Sequence, residues 1–323
     1  MAISITLPDG SKKVFEKPVS GLEVAKAIGP RLAQAALGIK VDGELRDLAT
    51  VIDRDASVAI VTEKQRDGSV DPDALFLIRH SAAHVMAEAI QRIVPGAQLV
   101  YGPPLEDKFY YDIKFPDDRP LKEGDFAAIE AEMKKIVAED RAFTRYEVKA
   151  SEGLDRLKRE GNKFKVDNAE RAIAAGARTG LETGATQGHA TKDTGLSFYA
   201  TGTPGKDWED LCRGPHVPST GRIGAFKILS LASSYWHGDE KSDRLTRVYG
   251  TAFATQADLD AHMAQIAAAW DRDHREIGKK LGTAVSKFNT NQICNTDRLV
   301  RSFLHNDPIN GFKLARMHFI RFV

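Results

Sequence analysis

The sequence predicts an α+β protein with two folded domains. Short strand patterns enclose a single helix within the first 62 residues, and longer helical patterns alternate with strand-like runs after residue 72. The chain has 323 residues, and 42% of them are hydrophobic. This length and composition are sufficient for two or three packed cores.

The first domain is predicted to be a small ubiquitin-like β-grasp fold over residues 1–62. The turn Pro8-Asp9-Gly10-Ser11 and the dipeptide Asp42-Gly43 are both typical of hairpins. Ser20 and Glu23 have the spacing of a capping box, which predicts a helix that ends at Gly29-Pro30. The predicted strands are residues 3–7, 12–16, 36–41, 44–48 and 57–61.

A charged linker at residues 63–72 is predicted to lead into a second domain, 73–253. That domain is expected to contain helices at 73–94 and 124–141 and strands at 108–113, 226–232 and 246–253, with a flexible insertion at 174–195. A connector helix is predicted at 254–282. Residues 283–323 contain five Asn and no Glu, whereas the first 282 residues contain two Asn, so this segment is predicted to be an atypical, disordered tail.

Charge and cysteine content narrow the possible functions. The 46 Lys and Arg nearly balance the 45 Asp and Glu, so any contact with nucleic acid must come from local patches. The sequence has neither a secretory leader nor an apolar run long enough to span a membrane, and we therefore expect a cytoplasmic protein with no membrane partner. Two cysteines, Cys212 and Cys294, do not indicate a disulfide framework.

The candidate chemistry lies in two short motifs. His80 and His84 are four residues apart, which places both imidazoles on one side of a helix, opposite its apolar stripe. Cys212 and His216 have the same spacing within a Gly- and Pro-containing loop. Together these side chains could bind zinc or activate water. The alternative is that the two helix histidines are surface residues and that the second motif is a coincidence.

Three further residues are weaker candidates. Lys165 could stabilise negative charge or be an ordinary solvated lysine. Asp210 could orient an imidazole or bind a substrate amine, or cap a turn. Tyr111 could line a pocket or belong to a strand face. A basic cluster could contact phosphates or be a solvated helix face; it comprises Arg156, Lys158, Arg159, Lys163 and Lys165.

From residue 1 to about residue 282, the chain resembles bacterial threonyl-tRNA synthetase. The matching motifs, in chain order, are RHSAAH (79–84), GPPLEDKFYYD (102–112), DLCRGPHVP (210–218), YWHGDE (235–240), RVYGTAF (247–253) and RDHREIGKKL (272–281). Six motifs in the same order are far more specific than a pair of histidines.

The resemblance implies a TGS domain followed by an editing domain of the threonyl/alanyl type, which deacylates Ser-tRNA(Thr). It implies catalytic roles for His80, His84, Lys165, Asp210, Cys212 and His216, and substrate binding by Tyr111 and Arg213. Threonyl-type editing domains are regarded as metal-free, whereas the related alanyl-type domains use zinc. We therefore expect no cofactor, with zinc on His80, His84, Cys212 and His216 as the alternative.

The family continues into a class II core that binds ATP and a catalytic zinc, and no motifs of that core follow residue 282. Aminoacylation, and dimerisation through the core, are therefore not expected of this chain. The expected partners are tRNA(Thr) and mischarged Ser-tRNA(Thr). Two other hypotheses remain: a non-catalytic tRNA-binding or regulatory fragment, and a truncated synthetase with no function.

Overall fold

The computed structural model describes residues 2–65, 67–117, 119–178 and 195–271. The chain divides into two compact units, residues 1–261 and 262–323, and the fold and site described below lie in the first unit. The predicted tail at 283–323 and the end of the predicted connector helix, 272–282, lie outside the described residues. Among the described residues, no helix is both long enough and apolar enough to cross a membrane.

The first domain is a five-stranded mixed sheet with two short helices. Its strands are β1 (Ile3–Thr6), β2 (Lys12–Phe15), β3 (Val19–Ser20), β4 (Gly38–Val41), β5 (Glu44–Asp47), β6 (Val51–Ile52) and β7 (Ala56–Val61), and its helices are α1 (Gly21–Ile28) and α2 (Pro30–Ala35). The sheet order is β2-β1-β7-β4-β5, with β1 and β7 parallel, and β3 pairs separately with β6. The predicted β-grasp arrangement is confirmed.

Local sequence explains the ends of these elements. Ser20 accepts a hydrogen bond from the Glu23 backbone, and the Glu23 carboxylate accepts one from the Ser20 backbone, so the predicted capping box begins α1. Asp42 and Gly43 both have positive φ, 51° and 89°, as a two-residue turn between β4 and β5 requires. The sequence prediction missed α2, which begins with Pro30 at its first helical position.

The described residues of the second domain form five α-helices and seven strands. The helices are α3 (Pro72–Ile93), α4 (Phe126–Ala138), α5 (Ala150–Glu160), α6 (Lys163–Arg178) and α7 (Gln256–Asp271), and the last of these extends beyond the first compact unit. The strands are β8 (Gln98–Tyr101), β9 (Phe109–Lys114), β10 (Phe143–Lys149), β11 (Gly195–Thr201), β12 (Trp208–Leu211), β13 (Ala225–Tyr235) and β14 (Arg244–Phe253). They form two antiparallel sheets, ordered β13-β14-β9-β8 and β10-β11-β12.

Helix α3 is the centre of this domain. Every residue from Leu77 to Ile90 is buried, so the helix is enclosed on all sides along most of its length. It packs against α4 and β14, and it shares a hydrophobic core with Leu37 and Val61 of the first domain. The core around α3 therefore includes residues of both domains, whereas most buried residues of the first domain form a separate core, and α3 carries His80 and His84.

The structure corrects three sequence interpretations. The face of α3 that carries the histidines is buried, so the alternative of surface histidines is wrong. The predicted flexible insertion at 174–195 overlaps regular structure at both ends, because α6 continues to Arg178 and β11 begins at Gly195. The prediction also missed α5, most of α6 and the whole β10-β11-β12 sheet, although this sheet supplies Asp210 and leads into the loop that carries Cys212 and His216.

Candidate active site

The two histidine motifs meet in one buried cluster. His80 and His84 lie one turn apart on α3, and Cys212 and His216 lie on the loop that follows β12. The His216 ring stacks on that of His80 with centroids 4.1 Å apart, and it meets the His84 ring at 4.3 Å. One ligand atom from each of the four residues falls within 4.8 Å of the others, and all four residues are buried.

Hydrogen bonds assign the protons of His80 and Cys212. The carbonyl oxygen of Pro215 lies 3.0 Å from Nδ1 of His80. Because a carbonyl only accepts, Nδ1 carries the proton, and Nε2 of the neutral ring has a lone pair. That Nε2 lies 3.3 Å from the Cys212 sulfur, so the thiol donates to it.

The same reasoning orients His216. The backbone N–H of Val217 donates to Ser81 Oγ at 3.0 Å, which leaves the Ser81 hydroxyl free to donate to His216 Nδ1 at 3.1 Å. His216 Nε2 then carries the proton and donates to the Cys212 sulfur at 3.4 Å. This assignment gives every group in the chain a partner, and it occupies both ring nitrogens of His80 and of His216.

His84 differs from the other two histidines. Its Nδ1 is buried and makes no hydrogen bond to any protein atom in the described residues. Its Nε2 lies 3.9 Å from a carboxylate oxygen of Asp210. The rings of Trp208 and Phe143 contact it edge-on, with centroids at 5.6 and 6.5 Å. His84 therefore has a ring nitrogen available to a bound molecule.

A second buried cluster lies beside the histidines. Lys165, in the first turn of α6, places Nζ 2.5 Å from Asp210 Oδ1 on β12. The hydroxyl of Tyr111, on β9, donates to Asp210 Oδ2 and accepts from Lys165 Nζ at 3.1 Å. All three side chains are buried, so the interpretations of Lys165 as a solvated charge and of Asp210 as a turn cap are both wrong.

Burial determines the protonation of the histidine–cysteine cluster. It lowers the pKa of His80 to about 4, against the opposing effects of the Pro215 carbonyl and Asp210. It also lowers the pKa of His84 and of His216 well below the ordinary value, and neighbouring histidines add to the effect. Burial raises the pKa of the Cys212 thiol to about 12. At neutral pH the site therefore contains three neutral imidazoles and a protonated thiol, which makes the thiol a poor nucleophile.

The donor set fits zinc. Three imidazoles and one thiol are zinc ligands, and bond lengths of about 2.3 Å to sulfur and about 2.0 Å to nitrogen imply ligand separations of roughly 3.5 Å around a tetrahedral ion. The Cys212 sulfur lies 3.3 Å from His80 Nε2 and 3.4 Å from His216 Nε2. The atoms of His80, Cys212 and His216 also satisfy one another through the chain of hydrogen bonds. The four residues are therefore compatible with a metal, and these three have hydrogen-bond partners without one.

The structure therefore brings seven of the eight predicted site residues together. The exception is Arg213, whose side chain is exposed on the loop while its carbonyl accepts from the Tyr199 hydroxyl at 3.4 Å. The predicted basic cluster is not a single patch: Lys165 is buried, Arg156 pairs with Glu160 and Glu209, and Lys163 pairs with Asp243 at 2.7 Å. Only Lys158 and Arg159 remain on the surface without such a pair among the described contacts.

Sequence reasoning missed four residues that shape the site. They are Ser81, which binds His216; Phe143, whose ring is parallel to that of His216 at 4.9 Å; Tyr199, which packs under the loop; and Asp47, which reaches it from the first domain. Ser81 could have been found, because it lies between the two helix histidines. The other three come from strands and give no local signal.

Two family models match the chain. A TGS domain covers residues 3–62, and the threonyl and alanyl tRNA synthetase second additional domain covers residues 196–249. The curated relatives are threonine–tRNA ligases. The protein from Hahella chejuensis is 45% identical over 86% of this chain and 39% of its own length, that from Paramagnetospirillum magneticum is 42% identical over 86% and 39%, and that from Acidithiobacillus ferrooxidans is 44% identical over 86% and 38%.

The fold and the matches together define a chain in which a TGS domain precedes a second additional domain of the threonyl/alanyl-tRNA synthetase type. The chain matches the N-terminal portion of the curated threonine–tRNA ligases, and it spans about two fifths of the length of these relatives.

Proposed function

We propose that this chain hydrolyses the ester bond of Ser-tRNA(Thr), releasing serine and free tRNA(Thr). The observation that carries the proposal is the buried group of neutral imidazoles in which His84 alone has a ring nitrogen without a protein partner in the described residues. A neutral imidazole with a free nitrogen is a general base, and it lies beside a buried ammonium and a buried carboxylate.

His84 is the best candidate to activate water. Both ring nitrogens of His80 and of His216 are engaged in the hydrogen-bond chain, whereas Nδ1 of His84 is not. In the proposed reaction a water oxygen attacks the ester carbonyl carbon while its proton passes to His84. The tetrahedral intermediate then expels the ribose oxygen, which takes the proton back from the imidazolium, so that the site returns to its starting state.

The Lys165–Asp210–Tyr111 group has two proposed tasks. The Lys165 ammonium stabilises the negative charge that develops on the carbonyl oxygen, and the Asp210 carboxylate binds the α-ammonium group of the seryl moiety. The Tyr111 hydroxyl donates to Asp210 and keeps that carboxylate oriented. His80 and Cys212 support His216 through the chain of hydrogen bonds, so neither needs to react.

Such a site would solve a problem of selectivity. A pocket that binds threonine excludes serine weakly, because one missing methyl group is worth only ~1–3 kcal/mol. A second hydrolytic site removes the serine that is attached in error. We propose that threonine escapes hydrolysis because its extra methyl group displaces the attacking water, in a cluster that Trp208 and Phe143 enclose.

The test is the rate of deacylation of radiolabelled Ser-tRNA(Thr) and Thr-tRNA(Thr) by the purified chain without ATP. We expect faster release of serine than of threonine. If the chain binds tRNA(Thr) but releases neither amino acid above the uncatalysed rate, the non-catalytic tRNA-binding hypothesis is correct. If it does neither, the fragment has no function in editing.

A further inference from the structure

Asp47 connects the TGS domain directly to the site. It is the last residue of β5, yet its Oδ1 accepts a hydrogen bond from the backbone N–H of His216 at 2.8 Å. Its Oδ2 accepts from the Tyr199 hydroxyl at 2.6 Å. The carboxylate therefore contacts two residues of the second domain that lie 152 and 169 positions away in the sequence.

Both contacts hold the loop that carries Cys212 and His216. Gly214 has a φ of +74°, and the Tyr199 hydroxyl occupies the space where a side chain at this position would begin. The Tyr199 ring also packs against the His216 ring at 4.5 Å. By binding the His216 backbone and the phenol beneath the loop, Asp47 fixes the direction in which the His216 imidazole projects.

The position of Asp47 is set by a packed interface between the domains. Leu37 and Val61 of the TGS domain belong to the same core as Leu77 of α3, and Lys40 forms an ion pair with Asp73 at 2.8 Å. Arg222 of the second domain donates to the carbonyls of Gln34 and Ala35 at 2.8 and 3.2 Å. Because the interface is packed, β5 presents Asp47 to the loop in one fixed geometry.

We propose that Asp47 is a positioning residue for His216, so that the TGS domain is part of the hydrolytic site as well as a neighbouring module. The proposal rests on the proposed function. Asp47 makes its two contacts with the His216 backbone and the Tyr199 hydroxyl, so it acts through the loop and does not need to touch the substrate. This positioning role predicts that removal of the Asp47 carboxylate lowers turnover and leaves substrate affinity unchanged.

Three variants of the full chain test this. Asp47→Ala removes both acceptors, and we expect kcat on Ser-tRNA(Thr) to fall roughly tenfold or more with KM within about twofold. The His216 ring packs on the ring of His84 with centroids 4.3 Å apart, so a shift of the loop displaces the proposed base, and small displacements of a reacting group are costly. Asp47→Asn keeps both contacts, since its carbonyl oxygen accepts from His216 and its amide donates to the Tyr199 oxygen, so kcat should stay within about threefold. Asp53→Ala removes an exposed carboxylate of the same domain and should change nothing.

A second measurement does not depend on hydrolysis. In a background with Cys294→Ser, the alkylation rate of Cys212 by iodoacetamide reports how well the loop is held, because Cys212 is only 6% exposed. We expect Asp47→Ala to accelerate alkylation roughly fivefold or more at a temperature where circular dichroism shows the variant folded, and Asp47→Asn to restore the slow rate.

The outcomes separate the two proposals. Lower kcat and faster alkylation in Asp47→Ala, with recovery of both in Asp47→Asn, support the positioning role. An Asp47→Ala variant that matches Asp53→Ala in kcat overturns it, and so does an equal loss in the Ala and Asn variants. If the wild-type chain hydrolyses no Ser-tRNA(Thr), the proposed function fails. The alkylation rates then decide alone, and equal rates in Asp47→Ala and Asp53→Ala overturn the role of Asp47.

Discussion

The hydroxyl oxygen of Ser81 lies 3.1 Å from Nδ1 of His216 and accepts a hydrogen bond from the backbone of Val217 at 3.0 Å. This contact joins α3 to the loop that carries Cys212 and His216, and it sets the direction of the hydrogen bonds that run through His216, Cys212 and His80. The chain ends at the Pro215 carbonyl, which belongs to the same loop. One result is that His216 and His80 are held as specific tautomers, whereas Nδ1 of His84 has no hydrogen-bond partner among the described residues.

The first prediction concerns His84. His84→Ala should lower kcat on Ser-tRNA(Thr) by roughly 10²-fold or more, the scale for losing a positioned general base. His237→Ala is the matched control, because His237 is an exposed histidine that pairs with Asp167 at 2.9 Å, and its rate should stay within about twofold of wild type. Single-turnover deacylation at saturating enzyme measures both. Full activity in the His84 variant would show that His84 is not the general base.

Ser81 gives the second prediction. Ser81→Ala leaves the Val217 N–H without its acceptor and His216 Nδ1 without its donor, so we expect a loss of about 1–3 kcal/mol in the free energy of unfolding. Turnover should fall because His216 is free to adopt the other tautomer, which nitrogen-15 NMR of the imidazole rings would detect. Ser57→Ala, at an exposed strand position, is the control for stability. An unchanged His216 tautomer in the Ser81 variant would disprove the proton assignment.

The third prediction concerns zinc. We expect dialysis against a chelator to leave hydrolysis unchanged, since the hydrogen bonds among His80, Cys212 and His216 satisfy the donor atoms without an ion. Cys212→Ser keeps a hydroxyl that can donate to His80 and accept from His216, so it should retain more activity than Cys212→Ala. Metal analysis of the purified chain accompanies the assay. Activity that is lost on chelation and restored by one equivalent of zinc would show that zinc is required.

Local sequence patterns were sufficient to predict much of the fold. The Ser20–Glu23 capping box and the Asp42-Gly43 turn both predict elements that the structure contains, because such signals depend on neighbouring residues alone. Strands β11 and β12 were missed because they follow a segment read as an insertion, and without them β10 had no predicted partner strand. Strand β11 is almost entirely buried and therefore shows no alternation of polar and apolar residues.

The sequence predicted only part of the site, because local patterns give the spacing of residues and not their tertiary environment. The spacing of His80 and His84 places two imidazoles on one side of a helix, but it does not reveal that the helix is buried on every side. The environments of Lys165 and Asp210 depend on α6, β9 and β12, which only tertiary structure brings together. The residues alone made Lys165 and Asp210 weaker candidates with alternatives left open, and the resemblance to a family then implied that both belong to the site. The contact of Asp47 with the loop crosses a domain boundary and leaves no trace in either local sequence.

The buried ion pair gives the fourth prediction. Lys165→Met leaves the Asp210 carboxylate buried without its cation, which should lower the free energy of unfolding by about 3–5 kcal/mol. Lys163→Met, two residues earlier, breaks a more exposed pair with Asp243 and should cost about 0–1 kcal/mol. Adding Asp210→Asn to Lys165→Met removes the unpaired charge, so the double variant should be more stable than Lys165→Met alone. Urea denaturation measures all three; additive losses would contradict a coupled buried pair.

The last prediction is the pH dependence of activity and stability. Because burial holds the pKa of His84 well below its ordinary value, the base stays neutral at pH 6, and the rate of hydrolysis, corrected for uncatalysed loss of the ester, should not fall with a midpoint near 6.5. His80, His216, Lys165 and Asp210 surround this ring. A midpoint near 6.5 in the pH–rate profile would contradict a buried neutral base.

Stability follows from the same pKa shifts. The unfolded chain protonates its histidines near pH 6.5, whereas the folded cluster resists protonation down to about pH 4 at His80. Between these values the unfolded state binds more protons, so the stabilising contribution is complete above about pH 6.5 and is lost as the pH falls toward 4. Burial also raises the pKa of the carboxyls of Asp47, which is half-buried, and of Glu88, which is buried, and these two groups act in the opposite sense. Melting temperatures from pH 8 to pH 4.5 should therefore fall more steeply in wild type than in His84→Gln, and parallel curves would show that His84 does not titrate differently in the folded state.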